Sequence, residues 1–243
     1  MLLELKDICF TRDNKKILDN ISLKVDTQNF IAITGPNGSG KSTLVKIIMG
    51  IEKPDSGKIL FNDKDITNMS IDERANLGIA FAFQQPVKFK GITVYDLLKI
   101  ASKKNLTKLE ACDALSQVGL CAKEYIDREV NGSLSGGELK RIEIANVVLR
   151  KAPLTIFDEP EAGIDLWSFN NLIQIFEKMS ETIKGTTMII SHQERILKIA
   201  DQVILMKSGK IDRIGTSDEI LKNTVAAHPC CKGQKSNDSC QNK

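Results

Sequence analysis

Gly35-Pro36-Asn37-Gly38-Ser39-Gly40-Lys41-Ser42-Thr43 fits the phosphate-binding pattern G-x-x-x-x-G-K-[ST] at every fixed position. The run before it, Phe30-Ile31-Ala32-Ile33-Thr34, is apolar and β-branched and predicts a buried strand. The run after it, Leu44-Val45-Lys46-Ile47-Ile48-Met49, predicts a helix that Gly50 ends. Strand, glycine-rich turn and helix are the context a phosphate cradle needs. Glycines let successive backbone N–H groups close round a polyphosphate. The helix N-terminus adds unpaired donors and a partial positive charge. Lys41 can reach the β- and γ-phosphates, and the Ser42 hydroxyl can hold Mg²⁺. These residues predict nucleotide binding.

Further segments repeat the pattern of buried strand followed by helix. Ile79-Ala80-Phe81-Ala82-Phe83 predicts a strand closed by Gln84-Gln85-Pro86. Leu154-Thr155-Ile156-Phe157 predicts another, closed by Asp158-Glu159-Pro160, with a helix from about Trp167 to Lys184. Thr186-Thr187-Met188-Ile189-Ile190-Ser191 predicts a third, ending at His192, before a helix carrying Ile196, Leu197 and Ile199. Buried strands alternating with helices predict an α/β fold.

Two regions differ. Residues 1–30 alternate apolar and polar around the turn-like Asp13-Asn14-Lys15-Lys16, which predicts antiparallel strands leading into the phosphate loop. Lys58-Ile59-Leu60-Phe61 after the turn at Pro54-Asp55-Ser56-Gly57 adds a strand, and residues 203–214 read as a hairpin. Phe10 is open to two readings, a core residue or an aromatic on which adenine stacks; its place in an alternating strand favours the core. Residues 87–150 form a helical insert. Val94, Leu97, Leu98 and Ala101 sit at helical spacing after Thr93, and Leu109, Cys112 and Leu115 do so after Thr107. Ser70 with Glu73 three residues on predicts a capped short helix.

Composition excludes several classes. In 243 residues, hydrophobic residues are 42% and charged residues 27%, ordinary for a globular protein. The net charge of +3 is too small to argue for nucleic acid or an anionic membrane surface. No apolar run nears the about 18 residues of a membrane span, and the N-terminus lacks a basic start with a long apolar run. A cytoplasmic protein without direct membrane insertion is expected. Cys9, Cys112 and Cys121 lie in or beside predicted elements and read as thiols of a reduced protein.

Taken singly, the remaining polar motifs are weak. Asp158 stands where a Mg²⁺-binding carboxylate of phosphate-loop ATPases belongs, and a second carboxylate, Glu159, can orient and polarise an attacking water. Acidic residues at strand ends are common, however, and a lone His such as His192 is more often structural. Ser135-Gly136-Gly137 before a helix is another anion-ready N-terminus. Order and spacing change their weight. The phosphate loop, Gln84, Leu134-Ser135-Gly136-Gly137-Glu138, Asp158-Glu159, Ala162-Gly163-Ile164-Asp165 and His192 together resemble the ATP-binding-cassette (ABC) ATPases, from the start of the chain to about residue 222.

The resemblance implies a RecA-like core with an antiparallel β subdomain and a helical subdomain at about 87–150, all within residues 1–222. It implies hydrolysis of ATP with Mg²⁺ in a head-to-tail pair. By matching positions, Gly35, Asn37, Gly38, Ser39, Gly40, Lys41, Ser42 and Thr43 would hold the phosphates. Ser42, Gln84 and Asp158 would sit at the metal, and Gln84 also at the attacking water. Glu159 would be the general base, and His192 would contact the γ-phosphate. Ser135, Gly136 and Gly137 would contact the ATP of the partner subunit.

Local stretches bear on which member this is. Gly78 to Val87, Arg128-Glu129-Val130-Asn131, Lys140-Arg141-Ile142-Glu143-Ile144 and Ser191 to Leu197 resemble the SUF-system ATPase of iron–sulfur cluster assembly, SufC. That implies a SufB/SufD-like scaffold as partner. Pro160 after Glu159 departs from the usual SUF pattern and is closer to transporter cassettes, so the nucleotide-binding subunit of a membrane importer stands as the alternative. The tail, residues 223–243, carries His228, Cys230, Cys231 and Cys240 among polar residues. Its composition favours disorder with free thiols; binding of a metal or cluster with ligands from a partner is the other reading.

Overall fold

The computed structural model describes residues 1–225 except 86, 103–104 and 183–184. His228, Cys230, Cys231 and Cys240, and the Pro86 of the Gln84-to-Val87 stretch, lie outside the described residues. In chain order the elements are β1 (Leu3–Arg12), β2 (Lys15–Val25), β3 (Phe30–Thr34), α1 (Lys41–Met49), β4 (Ser56–Phe61), β5 (Lys64–Asp65), α2 (Ile71–Leu77), β6 (Ile79–Ala82), α3 (Val94–Ser102), α4 (Lys108–Gln117), α5 (Ala122–Tyr125), α6 (Gly136–Arg150), β7 (Leu154–Asp158), α7 (Leu166–Thr182), β8 (Thr186–Ile190), α8 (Glu194–Ile199), β9 (Gln202–Lys207), β10 (Lys210–Gly215) and α9 (Ser217–Val225).

The strands form two sheets among the described residues. One has the order β2-β1-β4-β5 and is antiparallel. The other has the order β10-β9-β3-β8-β7-β6; β9 to β6 run parallel, and β10 returns against β9. Parallel strands covered on both faces read as unbroken apolar runs, which is why β3, β7 and β8 are buried along their whole length. Side chains nevertheless alternate between faces. Ile31 and Ile33 enter a core shared with α1 and the antiparallel sheet, whereas Phe30 and Ala32 enter one shared with α3, α4, α6 and α7.

The parallel register positions the site. Ala82 pairs with Phe157, Asp158 with Ile190, and Ile33 with Ile190. The carboxyl ends of β6, β7, β8 and β3 therefore lie side by side, where open α/β sheets place their ligand sites. Residues 35–43, 83–84, 159 and 191–192 are the segments that leave those ends.

The β1–β2 turn has left-handed Asp13 and Asn14, with φ of 50° and 57°, as a two-residue hairpin requires. Phe10 is 7% exposed and belongs to the core. The Ser70–Glu73 capping box forms as expected. Some expectations differ from what is found. The strand from Ile79 ends at Ala82, because Phe83 turns away toward α6. Leu109, at core spacing in the sequence, is 72% exposed; Ala111 and Leu115 carry the buried face of α4. The elements β5, α5 and α9 have no counterpart in the sequence reading.

Candidate functional site

The phosphate loop is shaped by close backbone approach. Gly35 has φ of 141°, and a Cβ there would lie 2.0 Å from the carbonyl oxygen of Met206. Gly40, at φ 98°, precedes α1 and supplies no side-chain cap. The first N–H groups of α1 therefore face a hollow of about 420 Å³ bordered by Asn37, Gly38, Gly40, Lys41, Ser42, Thr43 and Glu159. Lys15 and Ile17 of β2 also line it. The sequence reading had missed these two, since neither belongs to a motif.

Several features of the loop fit a polyphosphate. The Ser39 hydroxyl is buried, with no hydrogen-bond partner among the described residues. Lys41 is 5% exposed, and its Nζ donates to the loop's own carbonyls, Gly35 O at 2.8 Å and Pro36 O at 3.1 Å. Burial pushes the Lys41 pKa down, against the pull of Glu159 and Asp158. A buried cation facing open amide groups is an arrangement an anionic ligand completes.

Asp158 ends β7 and is 4% exposed. Its Oδ1 accepts from the Ser42 hydroxyl at 3.1 Å. Burial raises the Asp158 pKa, the Ser42 bond opposes that, and neighbouring Glu159 adds to it. The pair offers two hard oxygen donors, the set Mg²⁺ takes from protein when phosphate and water complete its shell. A divalent cation there would also relieve the crowding of two adjacent carboxylates.

Glu159 follows at φ 45°, in the left-handed region that non-glycine residues occupy at a cost of about 1–3 kcal/mol. The turn is held because its N–H donates to Ile190 O at 3.1 Å and its carbonyl accepts from the Ala162 N–H at 3.0 Å. Gln84 Nε2 donates to Glu159 Oε2 at 2.8 Å, and His192 Nε2 lies 3.8 Å from Glu159 Oε1. Burial and then the charge of Lys41 lower the His192 pKa, against Glu159, so the imidazole is neutral near pH 7. The contact Gln84 makes is thus with the carboxylate of Glu159 rather than with the Ser42–Asp158 pair.

The residues at 135–137 stand apart. Ser135 caps α6 in a full capping box: its Oγ accepts from Glu138 N at 3.3 Å, and its N–H donates to Glu138 Oε2 at 2.7 Å. Gly136 borders a second hollow of about 320 Å³, together with Gln84, Gln85, Lys140, Ala162 and Gly163. None of these residues borders the phosphate-loop hollow. Within one chain, the two glycine-linked helix N-termini face different spaces.

Glu161 has no role in the sequence reading, and Lys140 and Glu143 enter it only within the stretch that resembles SufC. Glu161 accepts from the Ser191 hydroxyl and, at 3.4 Å, from the His192 N–H. It ties the β7 turn to the segment bearing His192, and burial raises its pKa. Inside an acidic run its burial has no local signal. No helix among the described residues is long and apolar enough to cross a membrane.

The sequence pattern of the ABC transporter family matches residues 18–162. A protein of Methanocaldococcus jannaschii described as an uncharacterized ABC transporter ATP-binding protein is 38% identical over 229 residues, covering 90% of this chain and 91% of its own length. The spermidine/putrescine import ATP-binding protein PotA of Mesoplasma florum is 33% identical over 225 residues; the match spans 90% of this chain and 63% of PotA. The solved structure of an ATP-binding cassette of an ABC transporter superposes with a TM-score of 0.78 at 28% identity, covering 93% of this chain and 95% of that one. With the phosphate loop, the Ser42–Asp158 pair and the β10-to-β6 sheet order already in place, the chain belongs to the ABC transporter family as an ATP-binding-cassette ATPase that uses ATP with Mg²⁺.

Proposed function

We propose that this chain is the ATP-hydrolysing motor subunit of an importer-type assembly, with residues 1–222 as the motor unit and its helical part at about 87–150. One observation carries the assignment of the site: Gln84, Glu159 and His192 meet at the strand ends beside Lys41 and Ser42–Asp158. Lys41 and the open N–H groups of residues 38–43 hold the phosphates. Ser42 and Asp158 hold Mg²⁺, which supplies neutralisation of charge developing on the phosphoryl oxygens. Glu159 takes the proton of the attacking water; Gln84 orients the carboxylate and, through it, the water. His192, neutral, is placed to donate a hydrogen bond to the transferring phosphoryl group.

Ser135, Gly136 and Gly137 serve a second copy of the chain. The separation of the hollow bordered by Gly136 from the phosphate-loop hollow supports a head-to-tail pair in which each α6 start meets the other subunit's nucleotide. Closure then depends on ATP, and hydrolysis releases it.

The test is Glu159→Gln. General-base catalysis contributes about 10²–10⁴-fold, so turnover falls by that factor while ATP stays bound and the pair stays closed. Normal turnover would refute the assignment of the base.

The importer reading rests on what the relatives are called: PotA is an import ATP-binding protein, and the solved cassette is that of a transporter. The second reading, a SUF-type ATPase acting on a SufB/SufD-like scaffold, rests on the stretches 78–87, 128–131, 140–144 and 191–197. Either motor works from the cytoplasm. Mild purification of the chain from its own cells separates the two readings. An integral membrane permease at stoichiometric yield supports the first, and a SUF-type scaffold the second.

A further inference from the structure

Phe83 is the residue between the edge strand β6 and Gln84, and both of its backbone polar groups are held by side chains of α6. Its N–H donates to Glu143 Oε1 at 2.8 Å, and its carbonyl accepts from Lys140 Nζ. Lys140 Nζ in turn lies 2.9 Å from Glu143 Oε2. Lys140 and Glu143 are three residues apart, so they leave the same helix face. Lys140 is 1% exposed, an unusual place for an ammonium group. Phe83 is 44% exposed and meets Phe81 edge-on with ring centroids 4.7 Å apart, so its side chain does little to fix the backbone.

A buried ion pair is a poor means of stabilising a core, because apolar residues of similar volume often do as well or better. Apolar residues cannot, however, grip an N–H and a C=O together. The pair fixes one peptide, and that peptide is the neighbour of Gln84. The helix that supplies the pair begins at Ser135–Gly137.

We propose that Lys140 and Glu143 are positioning residues for ATP hydrolysis: by clamping Phe83 to the helix that begins at Ser135, they set Gln84 against Glu159 and make the carboxylate's placement depend on that helix. A displacement of the N-terminus of α6 by a second subunit is passed along one rigid helix to Phe83, then to the 2.8 Å bond between Gln84 and Glu159. The proposal rests on Glu159 as the base, which the Glu159→Gln assay tests separately.

The experiment is a double-mutant cycle on the full chain with ATP, reading kcat and ATP affinity. The first variant, Lys140→Met with Glu143→Leu, removes both charges together and leaves no orphaned buried ion. Expected are a kcat about tenfold lower and, by titration of the single chain, an unchanged affinity for ATP, since the phosphate loop is untouched. In a Gln84→Ala background the same two substitutions should cause no further fall. The second variant, Glu143→Gln, keeps an oxygen for the Phe83 N–H and guards against misfolding of the first, checked by circular dichroism. It should lower kcat about twofold to threefold, again only when Gln84 is present. Wild-type kcat in a folded variant, equal falls with and without Gln84, or wild-type kcat in Gln84→Ala alone would each overturn the proposal.

Discussion

The N-termini of α1 and α6 look alike in sequence and differ in the structure. Serine and glycine lie at both starts, but α1 follows Ser39-Gly40 whereas α6 follows Ser135 and opens with Gly136-Gly137. At α1, Gly40 leaves the first N–H groups uncapped, Lys41 is turned back on its own loop, and the Ser39 hydroxyl has no partner among the described residues. At α6, the Ser135–Glu138 box satisfies the N–H groups of Ser135 and Glu138 and sets a carboxylate beside the helix start. The first terminus is a cradle of open donors; the second is a partly capped helix end able to meet a ligand held elsewhere. Uncapped donors bind phosphate at the expense of helix stability, so α1 must be secured by other means.

It is secured at its other end. Arg74, 1% exposed, donates to Ile47 O at 2.7 Å, Ile48 O at 2.8 Å, Thr67 O at 2.9 Å and Met69 O at 3.1 Å. A cation on the last carbonyls of α1 opposes its dipole and replaces the stabilisation missing at Gly40. Gly50 leaves room for it, since a Cβ there would lie 3.0 Å from Arg74 Nε. Arg74→Ala strands these carbonyls and opens a cavity, so we expect a loss on the order of 4 kcal/mol in urea unfolding. A loss under about 1 kcal/mol would mean that α1 does not depend on this grip.

Lys41→Ala breaks the contrast at the open end. Charge-assisted hydrogen bonds contribute about 1.5–3 kcal/mol each, so ATP affinity should fall by about 100-fold, read by calorimetric titration. Ser135→Ala, which removes the polar group at the start of α6, should leave single-chain ATP affinity unchanged. Unaltered binding in Lys41→Ala would contradict the reading of the loop.

How far such features are legible in the sequence depends on how local they are. The phosphate loop is readable because its glycines, lysine and hydroxyl act within nine consecutive residues. Strands β3, β7 and β8 are readable because burial on both faces removes polar residues from them. The meeting of Gln84 with Glu159 needs the β6–β7 neighbourhood, which only the family resemblance implied. The clamp on Phe83 joins residues 57 and 60 positions apart, and nothing near Phe83 announces it. Element α5 has four residues and β5 two, too short for periodicity to register. Leu109 misleads because apolar spacing marks a face without saying which of its residues reaches the core.

The serines sharpen the comparison further. Ser135 serves as a cap, so Ser135→Ala should lower stability by about 1 kcal/mol. Ser39 is buried with no hydrogen-bond partner among the described residues, so Ser39→Ala should cost nothing when both variants are compared by thermal melts without nucleotide. Equal losses at both positions would erase the distinction between an open end and a capped one.

The smallest effect, and the most specific, belongs to Glu138. Burial pushes its pKa up, but hydrogen bonds from the Tyr125 hydroxyl and from the Ser135 N–H and hydroxyl, with Arg128 nearby, bring the net shift below the ordinary value. A carboxyl depressed in the folded state stabilises the fold above its unfolded pKa of about 4.5 and loses that contribution as pH falls through the folded value. Glu138→Gln keeps a side chain able to complete the box and removes the charge at the N-terminus of α6. At pH 7 it should cost about 0.3–1 kcal/mol, the usual range for an anion at a helix start, and the difference from wild type should shrink below pH 4.5. The same substitution removes a negative charge from the surface that would meet a second subunit's nucleotide, so ATP-driven pairing should strengthen while the single chain weakens. Sedimentation with ATP reads the first effect and pH-dependent melting the second. If pairing weakens together with stability, the capped end of α6 is not a place where an anion from another chain arrives.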